Sequence, residues 1–314
     1  MKITGGESLC AEFFGIGITV TAASQLAALR FRFAPHLIPE PRGADRLHVD
    51  LGPERPDGAA QFVVSGANGT PMLRRTFRAW TNVPPPVPPF AALARRFWIA
   101  PAVVLAKGPA SVALLGSPYA PRAEVALALA QRSWQFVSGQ LLVVDRMVGH
   151  TMPYLVPLEF YGASAAAVNT DALPEGTWHR RPSAISDGVL QVRPERLGAV
   201  VPVRARLGPP ALVRLCRAPG ETVRVAPAHE GPAVWPPEAA AETAALTSFR
   251  VDMPGSGGAE EAAWLIDDQV TASASAGFDA GAGFDASAGF DAGAAAGAGA
   301  GAVGRARAMD PLRI

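Results

Sequence analysis

The longest run of patterned apolar residues lies at 101–145, PAVVLAKGPASVALLGSPYAPRAEVALALAQRSWQFVSGQLLVVD. Residues 112–115 are continuously apolar, which predicts a strand covered on both faces. A loop follows at 116–120, and Pro121, with its φ already fixed, occupies a first helical position. Val125, Leu127 and Leu129 with their interleaved alanines predict a helix over 121–132, and Phe136 with 141–144 marks a second buried strand. The expected unit is two adjacent parallel strands, 112–115 and 141–144, joined by that helix in a sheet packed by helices. The fold class is α/β.

Upstream, 13–20 reads as a strand and 24–33 as a helix with Ser24 at its N-cap. Residues 46–51 alternate as a strand, and 61–65 with 72–77 form a hairpin across Asn68-Gly69, a dipeptide suited to positive φ. VPPPVPPF at 83–90 is a semi-rigid connector, and 91–98 is expected to lead into the core as a helix. Downstream, 238–246 and 259–268 read as short Ala- and Glu-rich helices around a flexible break at 254–258. GFDA recurs at Gly277, Gly283 and Gly289 in an Ala/Gly/Ser background. Three such copies offer little apolar surface against the entropy of ordering them, so disorder is expected there. The organisation is therefore an N-terminal α+β region (1–82), a connector (83–90), a core (91–235), short helices (236–269) and a disordered tail (270–314).

Composition narrows the possibilities. The 314 residues are 49% hydrophobic and 18% charged, which suits a globular protein. A formal net charge of +1 gives no chain-wide argument for nucleic acid or an anionic membrane, and neither is expected as a partner. Cys10 and Cys216 stand alone, without zinc-site spacing. Glu7 and Glu12 sit where a signal peptide would be basic, and no run approaches the ~20 apolar residues of a membrane helix, so a cytoplasmic location is expected. His150, His179 and His229 have no partner at metal-ligand spacing. Isolated histidines of this kind are more often structural than catalytic. Neither a G-x-S-x-G nucleophile elbow nor a dinucleotide fingerprint occurs.

The strand, six-residue loop and helix at 112–132 form the setting of a phosphate-binding P-loop. Against G-x-x-x-x-G-K-[ST], the sequence GSPYAPRA keeps Gly116 and Ser117 as candidate phosphate-loop residues. It places Pro121 at the second glycine, Arg122 at the lysine and Ala123 at the hydroxyl residue. Pro121 has no N–H for a phosphate, and Ala123 has no oxygen for magnesium. Arg122 can still meet a phosphate. Lys2 and Lys107 are the only lysines, and neither lies near this loop.

These residues resemble the kinase domain of HPr kinase/phosphorylase and its relatives. That family shares a core with phosphoenolpyruvate carboxykinase and includes small kinase-like proteins encoded beside modified-peptide pathways. Its P-loop helix ends in a basic residue and an aromatic-containing turn, before a strand opening with a small residue and two aspartates. Arg132 to Ser138 keep that register, and Gly139 and Gln140 stand at the two aspartates. Pro101 stands fifteen residues before Gly116, where the family has a histidine. Glu159, in MPYLVPLEFYG, matches a metal-associated glutamate more loosely. The likeness extends over about 83–228. It implies a P-loop kinase-like core of HPr kinase type whose catalytic positions are replaced. The expected function is a pseudokinase acting as a binding or regulatory component on a protein or peptide partner, with no cofactor assigned. The alternative is a divergent kinase using ATP and magnesium, with Arg122 on the phosphates and Glu159 at the metal.

Overall fold

The described residues of this computed structural model are 7–22, 26–40, 46–53, 55–56, 59–78, 87–116, 120–181, 188–218, 222–227, 247–254 and 257–280. Strands β1 (Glu7–Phe13) and β2 (Ile16–Ala22) precede helix α1 (Leu26–Phe33) and strands β3 (Arg46–Leu51), β4 (Ala59–Gly66) and β5 (Pro71–Arg78). A single helical turn, α2 (Phe90–Leu93), leads to β6 (Phe97–Pro101), β7 (Val103–Lys107), β8 (Ala110–Leu115) and helix α3 (Arg122–Gln131). Next come β9 (Gln135–Ser138), β10 (Leu141–Asp145), β11 (His150–Thr151), β12 (Leu158–Tyr161), α4 (Ala163–Ala167), β13 (Trp178–Arg181) and β14 (Val189–Val192). Strands β15 (Ala211–Arg217), β16 (Arg224–Pro227) and β17 (Ser248–Met253) precede the long helix α5 (Ala259–Ala280). The architecture is mixed α/β, with several sheets and few helices.

The central sheet has the order β16-β17-β15-β8-β7-β9, with β8, β15 and β17 parallel. Every residue of β8 is buried, as its unbroken apolar run requires. Val112 and Leu114 face a core shared with Val125, Leu129 and Trp134 on one side and Ala262 and Ile266 of α5 on the other. Ala113 and Leu115 face the opposite way, onto Trp98 of β6 and Leu142 of β10. One face of the sheet is thus covered by helices and the other by a second sheet, β11-β10-β6.

That layering corrects the expected unit. The strand that returns to the central sheet after α3 is β9, and residues 141–144 belong to β10 in the covering sheet. Strand β7 lies between β8 and β9 and pairs antiparallel with both. The tight β7–β8 turn, with Gly108 at φ 56°, makes β7 the local partner of β8, so the strand beyond the helix has to add outside it. Two apolar runs follow the helix, and their lengths alone do not tell which one returns.

Other expectations shift in detail. The run 13–20 spans the turn of the β1–β2 hairpin, because Phe14 and Gly15 both take positive φ (59° and 81°), the pairing of a type I′ turn. An apolar first turn residue hides that break. The helix expected over 91–98 is one turn, and the chain is extended from Phe97. Helix α5 starts where expected but runs to Ala280, past the predicted onset of disorder at 270. The hairpin across Asn68-Gly69 is present, with Asn68 Oδ1 accepting from the Thr70 N–H at 3.0 Å. Ser24, the helix expected at 238–246 and the tail from 281 lie outside the described residues.

The five-stranded sheet β1-β2-β3-β4-β5 does not have a core to itself. Phe13, Phe62 and Phe33 pack in one cluster with Phe97, Val143, Tyr154 and Val156 from beyond the connector. His36, 1% exposed, sits in this junction. Its Nε2 accepts from the Leu155 N–H at 2.9 Å, which leaves Nδ1–H to donate to the Glu12 carbonyl at 3.0 Å. The ring stacks on Phe13 with centroids 4.5 Å apart. Beside it Glu12 accepts two bonds from Arg204, at 2.8 and 2.7 Å. At the opposite end of the fold Asp267 of α5 accepts from Lys107 Nζ (2.9 Å), Arg132 Nε (3.1 Å) and Trp134 Nε1 (2.9 Å), fastening the helix to β7 and to the end of α3.

Two outcomes follow. Burial lowers the His36 pKa to about 4, against the weaker opposing pull of Glu12. The neutral ring is therefore retained in the fold while the unfolded chain protonates near pH 6.5. Stability should be flat above that pH and fall as pH drops toward 4, by about 2 kcal/mol at pH 5 and about 3 kcal/mol at pH 4 relative to pH 7.5. Urea unfolding at these pH values measures the loss, and His36→Gln should show a smaller one. Second, Asp267→Ala leaves the buried Trp134 N–H without an acceptor and two cations without their carboxylate. It should cost about 2–3 kcal/mol in the same assay.

Candidate functional site

A cavity of about 410 Å³ lies where α3 begins, between the β9–β10 turn, the end of β12 with the start of α4, and the end of β15. Its walls include Arg122, Ala123, Gly139, Gln140 and Glu159. Five of the residues singled out in the sequence, 37 positions apart at the extremes, are thus brought together. Gly116, Pro121 and Pro101 are not among its lining residues, and Ser117 lies outside the described residues.

Helix α3 is long enough to aim its first turn at this space. The first bond of its ladder runs from the Val125 N–H to the Pro121 carbonyl at 3.0 Å, and no side chain caps it. The amides of Ala123 and Glu124 precede that bond and have no acceptor in the helix. The Arg122 amide is already used, donating to the Ala120 carbonyl at 2.7 Å. Its side chain turns into the cavity wall, where Nη1 is buried with no hydrogen-bond partner among the described residues. Burial lowers the Arg122 pKa, while Tyr161 and Glu159 oppose that effect by favouring the cation. A buried guanidinium N–H that no described residue meets is a receptor for an acceptor oxygen.

Close backbone approaches explain both glycines. A Cβ at Gly116 would lie 2.7 Å from the Ala120 Cβ and 3.0 Å from the Leu215 carbonyl oxygen. At Gly139 a Cβ would overlap the Val156 carbonyl oxygen and come within 3.2 Å of Pro157. The position where the family resemblance puts an aspartate therefore has no room for any side chain. Gln140 is held from two directions: Oε1 accepts from Arg32 Nη2 at 2.6 Å, and Nε2 donates to the Pro157 carbonyl at 3.0 Å.

Glu159 is equally committed. Its Oε1 accepts from Arg181 Nη2 at 3.0 Å and Gln191 Nε2 at 2.8 Å, and its Oε2 accepts from the Tyr161 hydroxyl at 2.6 Å. Burial pushes its pKa up, but Arg32 and Arg181 with the Tyr161 and Gln191 bonds outweigh this and leave the net shift downward. Burial and the adjacent Glu159 carboxylate push Tyr161 up, so it stays a donor. The carboxylate expected at a metal thus accepts three of the roughly four hydrogen bonds it can take, and it lies in the field of two guanidinium groups. Magnesium fits it poorly, because a dication there would face the charge of Arg181 and Arg32. Among the described residues no three His, Cys, Asp or Glu side chains gather where a metal could be held.

Four side chains of the site carry no motif. Arg217, at the end of β15, donates to the Pro254 carbonyl at 2.7 Å and lines the cavity. Ser164 donates to Glu124 Oε1 across the mouth. Arg32 arrives from α1. Glu124 follows directly from the loop on α3, whereas Arg32, Ser164 and Arg217 come from separate elements with no fixed spacing to it.

No protein-family model matches the chain, and no curated protein matches it. Among solved structures, the HPr(Ser) kinase/phosphatase from Coxiella burnetii aligns with 58% of this chain and 95% of its own, at 13% identity and a TM-score of 0.30, a weak likeness.

Gly139→Ala should destabilise the fold by about 1–3 kcal/mol, the usual cost of overpacking, through the clash with the Val156 carbonyl. Gly139→Asp should cost at least as much. Thermal denaturation of the two variants beside Gln140→Ala, which adds no volume, isolates the clash.

Proposed function

We propose that this chain binds an anionic group of a ligand at Arg122 without transferring it. In this reading residues 91–235 are a degenerate core of HPr kinase type, and the protein is a pseudokinase serving as a binding or regulatory component for a protein or peptide. The observation that carries it is the buried Arg122 Nη1 on the cavity wall, which has no partner among the described residues.

Phosphoryl transfer depends on donors that cradle the phosphates, on metal and lysine that neutralise them, and on a carboxylate that orients the nucleophile. Here Arg122, Arg217 and the Ala123 and Glu124 amides support the first requirement. The others lack support: Ala123 offers no hydroxyl, Gly139 has no space for a carboxylate, and Glu159 is engaged by Arg181, Gln191 and Tyr161. Losing one electrostatic donor typically costs ~10²–10³ in rate, and several are missing together.

Calorimetry with ATP, ADP and inorganic phosphate, with and without magnesium, tests the reading. Binding is expected in the high micromolar range or weaker, without dependence on magnesium, and reduced about tenfold or more in Arg122→Ala. Combining Pro121→Gly, Arg122→Lys and Ala123→Ser should strengthen nucleotide binding without producing turnover. ATP hydrolysis by the unmodified protein above that of Arg122→Ala would replace this reading with a divergent kinase.

A further inference from the structure

The turn between β10 and β11 is closed by its own hydrogen bonds and holds two apolar side chains in solvent. Met147 is 82% exposed and Val148 57%. The turn is closed by the Gly149 N–H donating to the Asp145 carbonyl at 2.8 Å, with Gly149 at φ 69°. Asp145, itself 4% exposed, accepts from the Met147 N–H at 3.0 Å through Oδ1 and from Arg96 Nε at 3.1 Å through Oδ2. The Arg96 guanidinium also lies over the Phe97 ring at 5.0 Å. These bonds fix the backbone under Met147 and Val148, so no ordering is left to be done on contact.

The turn beside it supplies the charge. The Arg146 N–H donates to the Arg96 carbonyl at 2.9 Å, which places the α2–β6 turn against the base of the tip. Arg95, Arg96 and Arg146 are all exposed. Arg96 pairs with Asp145, and Arg95 and Arg146 add two further cations beside it. A chain-wide charge of +1 conceals this cluster.

We propose that this tip docks on an anionic membrane surface. Met147 and Val148 enter the acyl boundary, and Arg95, Arg96 and Arg146 meet lipid phosphates just above it. Shape favours this occupant over a protein. A specific protein interface takes about 800 Å² of fairly flat surface per partner, and a convex four-residue turn supplies only its apex. A lipid headgroup layer accepts a convex apolar point and rewards cations set back from it. The contact is weak and reversible, because two aliphatic groups and a few arginines make only a marginal anchor.

Co-sedimentation of the full chain with vesicles tests the proposal. Phosphatidylcholine vesicles containing about 30% phosphatidylserine should carry the protein down, pure phosphatidylcholine vesicles should not, and salt should weaken the binding. Met147→Ser/Val148→Ser and Arg95→Ser/Arg146→Ser should each lower the bound fraction about tenfold at unchanged melting temperature. The proposal is overturned if the wild type stays in solution with the anionic vesicles, which would leave the tip to a protein partner. It is equally overturned if the Met147→Ser/Val148→Ser protein binds as well as the wild type.

Discussion

The complete burial of β8 governs this fold. A six-residue strand with all side chains inside needs cover on both faces and partners on both edges, and the chain supplies each from a different distance. Strand β7 comes from the adjacent hairpin, and β15 from about a hundred residues later. The helical face is closed by α3 and then by α5, while β6 and β10 close the other. Asp267 acts as the fastening of this arrangement, because one carboxylate meets donors from β7, the end of α3 and the following turn. Hydrophobic burial drives the layers together without direction. The charged hydrogen bonds give α5 its position along them.

The same packing shapes the cavity. At the end of β8, Gly116 lies so close to Ala120 and Leu215 that it has no room for a Cβ, and the first turn of α3 opens onto the space beside β12. The approach of the Val156 carbonyl to Gly139 closes the other wall. What remains is a site rich in donors, with Arg122 Nη1 met by no described residue and Glu159 occupied. Helix α1 also takes part, since Arg32 holds Gln140 and helps keep Glu159 ionised. The N-terminal region is therefore part of the site's electrostatics as well as of the shared core around His36.

Legibility from sequence followed the range of the forces involved. Strand β8, helix α3 and the Asn68-Gly69 hairpin are encoded locally, in an apolar run, a Pro-led helix and a turn dipeptide, and these were readable. The gathering of Arg122, Ala123, Gly139, Gln140 and Glu159 was approached through the spacing of a resemblance. The β1–β2 turn was not readable, because Phe14 gives no sign of its positive φ. Which of two apolar runs rejoins the sheet was not readable either, because that depends on β7 taking the edge first. Arg32, Arg217 and Ser164 enter the site only through tertiary packing, and no local pattern marks them. The basic cluster at Arg95, Arg96 and Arg146 is split over two turns and vanishes in the overall charge.

The distance from β8 to its last cover sets a schedule for synthesis. About 140 residues separate Leu115 from Ala259. At roughly 5–20 residues per second a ribosome needs about 10–30 s to cross that gap. Through this interval Val112 and Leu114 have α3 above them but not α5, and β15 waits for β17. The nascent chain thus presents an incomplete sheet for far longer than a helix or hairpin takes to form. A holding chaperone, or slow release from the exit tunnel, would matter more for the yield of this protein than the intrinsic speed of any of its elements.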